Sequence, residues 1–528
     1  MGFARLHQAV ALLVASLLLV LTAATEVHSA CNATCQRDLA RCMATQCAGI
    51  GQGACRRRCK PARIRTLAYA ESECVRDKAG SVVTRQALRI RRGDRDPITA
   101  VELPPSEPMA DPRLLCLDYG LTLWGSCSVA VFPLQRLGVS PDGSGVVFEV
   151  NDEFSLLAPS RLSPEQKGIF FVRSDGQGLR RLGPPSRDQS FSIGQDFRSG
   201  GVLTGFARIW VLSPPILFSP NGRRIAFTDL GPGPGGVKAV QIFVLDLATG
   251  ERRQVTHLPS GTPPVAAEGV PLFLTCCPKF IDDETILFQT FVDPDGSNPE
   301  HNFAAFTVRI DGSSVKALPT PVVPPDSNLV PSFAVGGLDN NLVRLNVSGT
   351  PVNRNPLNPG FPIAEVFLKD GRNLVQLTNF RRTDTFVGFL SSGMRAFFLA
   401  SADPLGTNPY GFCQIFSMNR FGRDVRQVTH LTLRGCRLWP PEGCFHPEGI
   451  GYGYYRIIFQ DPVTKAVVFD SACNPFGDDD RRSYHLFAVR PDGNGLRQLT
   501  DTSGLTTNPD GSFRVELPGP YAYSAPLR

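Results

Sequence analysis

Six times between residues 169 and 500 the chain repeats one pattern: an alternating apolar strand, a turn carrying Gly, and a short strand closed by a Leu-Thr-like pair. The copies run Ile169-Phe-Phe-Val-Arg-Ser-Asp-Gly176 to Arg181-Leu182, Ile242-Phe-Val-Leu-Asp246 to Gln254-Val-Thr256, and Ala305-Phe-Thr-Val-Arg-Ile-Asp-Gly312 to Ala317-Leu318. They continue with Ala364-Glu-Val-Phe-Leu-Lys-Asp-Gly371 to Gln376-Leu-Thr378, Ile415-Phe-Ser-Met-Asn419 to Gln427-Val-Thr429, and Leu486-Phe-Ala-Val-Arg-Pro-Asp-Gly493 to Gln498-Leu-Thr500. A second pattern precedes each: a tight turn leading into an apolar strand, clearest in Val139-Ser-Pro-Asp-Gly143 before Val146-Val-Phe148 and in Phe218-Ser-Pro-Asn-Gly222 before Ile225-Ala-Phe227.

Pro fixes φ at the first corner of such a turn, Asp or Asn and Gly tolerate the reversal, and alternation buries one face of each strand. Each repeat is therefore a small antiparallel sheet. One sheet cannot bury both faces; six set radially can, and the circle leaves only short edges. The expected fold class is all-β, a six-bladed β-propeller of four-stranded antiparallel sheets over residues 127–505. The turn glycines lie 51 to 74 residues apart, whereas a blade needs about 40 to 45, so every blade carries extra loop.

These residues resemble the TolB-type, WD-like propeller repeat, whose consensus runs Ser-Pro-Asp-Gly, an apolar strand ending in Phe, Ile-Tyr-Val-Met-Asp, Gly, Arg-Arg-Leu-Thr. The third and fourth repeats lack the Ser-Pro-Asp-Gly turn. The resemblance implies a disc with a central channel, with partners docking on the face made by loops between blades and loops before each Ile-Phe-x-Val strand. TolB is a periplasmic envelope protein that binds other proteins, and related propellers gate prolyl oligopeptidases or act as carbohydrate-active or lactone-cleaving enzymes.

The N-terminus has another character. Residues 1–30 read as a secretory signal: a short basic start, an apolar run from Ala9, then small residues before a cut. The run is shorter than a spanning helix needs. Ala30 before Cys31 is similar to a bacterial lipoprotein signal, although His28 stands where that signal has Leu; membrane attachment is expected only if Cys31 is lipidated. Localisation is expected to be extracytoplasmic, periplasmic or secreted. Fifteen cysteines fit an oxidising compartment, and seven of them fall within residues 31–74. Their helical spacing predicts a basic, disulfide-stapled helical module over 31–80, with a second helix from about Ala54 to Lys78. A polar, proline-bearing linker is expected over 81–126, and a tail over 506–528. Residues 31–100 carry net +9 of a whole-chain +6, so the propeller itself is mildly acidic.

Catalytic constellations are scarce. No Gly-x-Ser-x-Gly pentapeptide occurs, and little chain follows the last repeat for a hydrolase domain. After the signal the histidines are His257, His301, His430, His446 and His485; His257 and His430 share one repeat position, Gln-Val-Thr-His-Leu, which marks an inherited strand end. Acids do recur after the Phe-ending strands: Asp152, Asp229, Asp293, Asp295, Asp403 and Asp470. In a propeller these loops share a face, so the acids are candidates for a ring binding a cation or a basic partner segment; the competing reading is that turns favour Asp. Cys116 with Cys127 and Cys436 with Cys444 are candidate loop staples, while Cys276 and Cys277 either bridge each other or pair with Cys413 and Cys473.

The sequence thus points to an exported binding or scaffold protein, monomeric, without cofactor or metal, docking a protein on its loop face and not binding nucleic acid. The alternative is a metal-dependent propeller lyase or hydrolase acting at the central channel.

Overall fold

The computed structural model describes residues 62–523 apart from 77, 80, 106–132, 152–161, 187–216, 260–274, 291, 300, 302–303, 319–327, 331–341, 354–359, 371–372, 392–394, 432–443, 445–457, 462, 472, 474, 477–484, 501–503 and 511. The signal segment, residues 31–61, Cys116, Cys127, Asp152 and Cys436 lie outside the described residues.

Chain order opens with β1 (Thr66–Arg76), β2 (Val82–Arg92) and β3 (Ile98–Glu102). Blade one is β4 (Leu134–Val139), β5 (Gly145–Val150), β6 (Gly168–Arg173) and β7 (Arg180–Gly183); blade two is β8 (Leu217–Phe218), β9 (Arg224–Pro232), β10 (Lys238–Asp246) and β11 (Arg252–Gln254). Blade three is β12 (Thr275–Phe280), β13 (Thr285–Thr290), β14 (Ala304–Arg309) and β15 (Lys316–Ala317); blade four is β16 (Asn328–Val330), β17 (Leu342–Val347), β18 (Ile363–Asp370) and β19 (Asn373–Gln376). Blade five is β20 (Phe386–Leu390), β21 (Arg395–Ala400), β22 (Gln414–Asn419) and β23 (Arg426–Gln427); blade six is β24 (Ile458–Gln460), β25 (Val467–Ser471), β26 (His485–Val489) and β27 (Arg497–Gln498). β28 (Gly504–Thr507) and β29 (Phe513–Tyr523) are the last described strands, and the described residues hold no α-helix.

The repeats owe their Phe to one contact. In blades one, two, three, five and six a Phe of the second strand lies directly across from a Phe of the third: Phe148 with Phe170, Phe227 with Phe243, Phe288 with Phe306, Phe398 with Phe416, and Phe469 with Phe487. Every pair is stacked, with centroids 5.5 to 6.1 Å apart. Such a pair contributes about 0.5–1.5 kcal/mol beyond its buried area. Blade four pairs Val343 with Phe367 in the same place.

Six four-stranded antiparallel sheets follow the repeats as expected. First strands of neighbouring sheets approach one another (β4 with β8, β8 with β12, β20 with β24), so the sheets radiate with first strands innermost. Apolar side chains fill the seams: Val147 and Ile169 meet Ile225 and Phe227, Val244 meets Phe280 and Phe306, Val366 meets Phe398, and Ile415 meets Phe487. Because second and third strands are covered on both faces, they read as near-continuous apolar runs.

A seventh sheet completes the ring, and it corrects the expected domain plan. Its order is β28-β29-β1-β2-β3, so both ends of the chain build it. The helical module expected over 31–80 is not supported: residues 66–76 are strand β1. The linker assigned to 81–126 contains β2 and β3, and the tail assigned to 506–528 contains β29. The reason lies in burial. Leu67, Ala68, Tyr69 and Ala70 are all buried, so β1 shows no alternation, and in β2 the buried face carries Thr84 and Gln86 beside Leu88 and Ile90, which hides its period.

This closing sheet fills the gap between blades one and six. Ala68, Ala70, Leu88 and Ile90 pack on Leu137, Val146 and Phe148 of blade one. Leu67, Tyr69 and Ile64 pack on Val468, Leu486 and Ala488 of blade six. Where the other blades have a hairpin between first and second strands, here the first and last described strands meet, Leu67 opposite Tyr523. Polar contacts fix the seams: the Ala62 amide donates to the Gly495 carbonyl (2.9 Å), the Thr66 hydroxyl to the Gly143 carbonyl (3.0 Å), and the Arg91 guanidinium to the Leu499 carbonyl (2.7 Å).

A chain ending at residue 511 lacks β29 and leaves β1 and β4 without their neighbour. Calorimetry should find its melting temperature lowered by about 10 °C or more; an unchanged melting curve would refute closure by the C-terminal strand.

Candidate functional site

Antiparallel order sorts the connections onto two ends of the disc. Hairpins between first and second strands and between third and fourth lie at one end, the turn face; they span residues such as 140–144, 174–179, 247–251, 281–284, 420–425 and 490–496. Connections from second to third strands and from blade to blade lie at the other end, the loop face. Their described parts include 162–167, 184–186, 255–259, 292–299, 348–353, 360–362, 401–413 and 428–431.

Acids occur on both faces, and most serve their own turn. On the turn face, Ser140, Ser144 and the Ser144 amide bond Asp142 at 2.6–2.9 Å, while Gly143 supplies the positive φ (74°) of the Ser-Pro-Asp-Gly corner. The Ser313 hydroxyl and amide hold the Asp311 carboxyl below its ordinary range.

The candidate acids of the loop face are also engaged locally, and no hydrogen bond or ion pair among the described residues joins one to another. Asp229, in β9, is buried: it ion-pairs with Arg252 and accepts the Leu230 amide (2.7 Å) and the Ser186 hydroxyl (3.4 Å). Arg252 in turn lies over the Phe227 and Phe243 rings, 5.0 and 4.7 Å from their centroids. Ser186 carries this network to blade one, where Glu149 accepts its amide (2.5 Å) and pairs with Arg136 (3.2 Å). Buried ion pairs of this kind fix a geometry more than they add net stability. Asp470 lies within β25 opposite Leu486, a strand position where a loop was expected.

Asp293 and Asp403 begin twin loops, Asp293-Pro-Asp-Gly-Ser-Asn298 and Asp403-Pro-Leu-Gly-Thr-Asn408. In both, the Asp accepts the amide of the Asn five residues on, at 2.8 and 2.6 Å. In both, the Asn side chain donates back to the carbonyl preceding the Asp, Val292 or Ala402, at 3.4 and 3.0 Å. Asp295 accepts the Ser297 amide and hydroxyl and the Ala317 amide of β15. Burial would raise its carboxyl, but these hydrogen bonds outweigh it and hold the group below its ordinary range. The repeated Asp-Pro-x-Gly-x-Asn spacing was the available signal for these staples.

The second Asp loop belongs to a rigid corner of the loop face. Asp384, buried before β20, accepts the Asn353 amide (3.1 Å), the Ser401 hydroxyl (2.8 Å) and the Cys444 backbone amide (2.6 Å). Cys444 is bridged to Cys413, which overturns the pairing of Cys436 with Cys444 and that of Cys413 with Cys276 or Cys277; Cys473 is also disulfide-bonded. The sequence missed this pair because 413 lies at the end of a Gly- and Pro-rich loop, and only the fold brings it to Cys444. From this corner Tyr410 (65% exposed), Val352 (64%) and Leu405 project outward.

A polar bracket closes the outer edge of blades two, four, five and six and explains the Gln-x-Thr ending of the repeats. The Gln254, Gln376, Gln427 and Gln498 side chains donate to the Thr256, Thr378, Thr429 and Thr500 carbonyls at 2.6–2.8 Å. Each Thr hydroxyl accepts the amide of Ile242, Val366, Ile415 or Leu486 at 2.8–3.0 Å. The residue before that amide is Gln241, Glu365, Gln414 or His485. Gln241 and Gln414 accept the Thr hydroxyl and the amide of Leu258 or Leu431, and donate to the same leucine's carbonyl (2.9 and 2.8 Å). Glu365 has no such donor. Its oxygens accept the Thr378 hydroxyl (2.5 Å) and the Arg381 amide (2.6 Å). Burial pushes its carboxyl above the ordinary range, opposed by hydrogen bonds from Thr378, Arg381 and Phe380.

Among the described residues no three His, Cys, Asp or Glu side chains form a group that could hold a metal. No family model and no curated protein matches the chain. Solved structures similar to it include an oligogalacturonate lyase from Vibrio parahaemolyticus (9% identity, covering 82% of this chain and 98% of that one, TM-score 0.39). A prolyl endopeptidase (12%, 92% and 57%, 0.37) and the tricorn protease (12%, 71% and 27%, 0.32) are others. The chain spans little more than half of the prolyl endopeptidase and about a quarter of tricorn. With TM-scores below 0.5, these likenesses carry neither activity nor ligand to this chain, and the architecture rests on its own strand pairing.

Glu365→Gln tests the bracket. A carboxyl raised in the folded state stabilises fully below its unfolded value, and that contribution is lost as pH rises through the folded value. The glutamine variant should therefore melt higher than wild type near pH 7, by about 1–3 °C, with the difference vanishing below about pH 4. Melting curves across pH check this; a variant that is less stable at neutral pH contradicts it.

Proposed function

We propose that this protein is an exported binding protein whose loop face docks a protein partner. The observation that carries the reading is one corner of the loop face, where Asn353, Asp384, Ser401 and Cys444 are joined by hydrogen bonds and by the Cys413–Cys444 bridge, with Tyr410 exposed upon it. Pre-ordered loops lose little conformational freedom on binding, and an exposed aromatic on such a corner is the side chain that most often anchors an interface. The resemblance of the repeats to the TolB propeller supports the same reading, as does the Cys413–Cys444 bridge, which fits an oxidising compartment. In this reading Asp293, Asp295 and Asp403 hold loops in shape, and Asp152 and Asp470 are proposed contacts.

Tyr410 and Phe421 make a matched pair for the test, since both are 65% exposed, one on the loop face and one on the turn face. Affinity capture from the native envelope should lose its prey with Tyr410→Asp and keep it with Phe421→Asp. Loss with the turn-face variant alone would place docking on the wrong face. Metal-dependent turnover of a small substrate by the purified protein would favour the lyase or hydrolase alternative.

A further inference from the structure

Glu365 stands where blades two and five have Gln, and the loop beside it differs accordingly. In blade two the Gln241 amide donates to the Leu258 carbonyl, and Pro259 follows without an N–H to give. In blade four the corresponding carbonyl is that of Phe380, and the residue after it, Arg381, turns its amide onto Glu365 instead. Arg381 does so with φ at 55°, a left-handed conformation that few non-Gly residues adopt. The carboxylate, as an acceptor, holds that turn.

The turn is stitched to the neighbouring loop of the same blade. The Val352 amide donates to the Arg381 carbonyl (2.8 Å), the Arg381 guanidinium to the Thr350 carbonyl (2.9 Å), and the Thr383 amide to the Asn353 side chain (3.1 Å). Val352 is one of the exposed apolar residues of the loop face. We propose that Glu365 is a proton-operated latch: ionised, it fixes the 379–383 connection and the 350–353 loop in the present arrangement; protonated, it releases them.

The chemistry needs only a proton from solvent. On protonation one carboxyl oxygen changes from acceptor to donor, and the acceptor that blades two and five use is the carbonyl two residues after the Thr, here that of Phe380. The side chain then bonds as Gln241 and Gln414 do, the Arg381 amide loses its acceptor, and the left-handed turn loses its support. Charged side chains on the elements around it are Arg344 on β17, which reaches the Thr383 and Thr385 carbonyls, Lys369 and Asp370 at the far end of β18, and Arg381, Arg382 and Asp384 on the connection. The groups acting on the Glu365 carboxyl itself are the neutral Thr378 hydroxyl and the Arg381 and Phe380 amides, so its own burial governs the titration.

Hydrogen exchange of the full chain, corrected for the intrinsic pH dependence of exchange, tests this between about pH 4 and pH 8. In wild type, protection of the Arg381 and Val352 amides should fall about tenfold on acidification, the change produced by one unit of differential proton affinity. Glu365→Gln, a residue that blades two and five already accommodate, should show the acid-state protection at every pH. Wild-type protection that does not change with pH overturns the latch, as does the same pH profile in the variant. Neither measurement involves a partner, so failure here leaves the docking reading standing.

Discussion

The ladder between β1 and β29 joins the two ends of the chain, Leu67 to Tyr523 and Arg76 to Phe513, and every other sheet depends on it. A radial array buries its blades only if each has a neighbour on both sides; an open arc exposes one face at each end. Closing a loop of this length costs about 5 kcal/mol in chain entropy by the logarithmic rule, a cost that grows slowly with length. Against it stand the strand pairing itself and two apolar seams. Buried arginines reinforce one of them: Arg497 pairs with Asp94 and reaches the Ala62 carbonyl, while Arg91 reaches the Leu499 carbonyl.

The six repeats were legible because each carries its apolar strands and turn within a short stretch, five of them with a stacked Phe pair. The seventh sheet was not, because no single stretch contains it. Its inner strand comes from the C-terminus and its other ring strands from the N-terminus, and β2 alternates Arg85 and Arg89 with buried Thr84, Gln86 and Leu88. A segment with that many cations reads as linker until Arg89 is seen to pair with Glu71 of β1.

At the candidate site the recurrence of acids at strand ends and in loops was legible, and the partners of those acids were not. Asp229, Asp293 and Asp403 recur because strand ends and loops need acceptors, for Arg252 in one case and for backbone amides in the others. Sequence spacing could not show which carboxylates would be spent inside the fold. The Gln-x-Thr endings behaved in the opposite way: they looked like mere repeat markers and turn out to hold the outer strand of four blades. Glu365 is the place where that bracket carries a carboxyl, as blade six carries His485, and the 350–353 and 379–383 segments beside it lie on the loop face.

The closed ring can be tested without altering the chain. The Lys78 ammonium lies 3.1 Å from the Asp510 carboxylate, both accessible to solvent, one in the turn between β1 and β2 and the other between β28 and β29. A zero-length carbodiimide cross-linker joins such a pair directly. Peptide mass spectrometry of the treated monomer should find Lys78 linked to Asp510. Absence of that link, with other Lys–carboxylate pairs of similar spacing joined in the same sample, would contradict closure of the ring by the two ends of the chain.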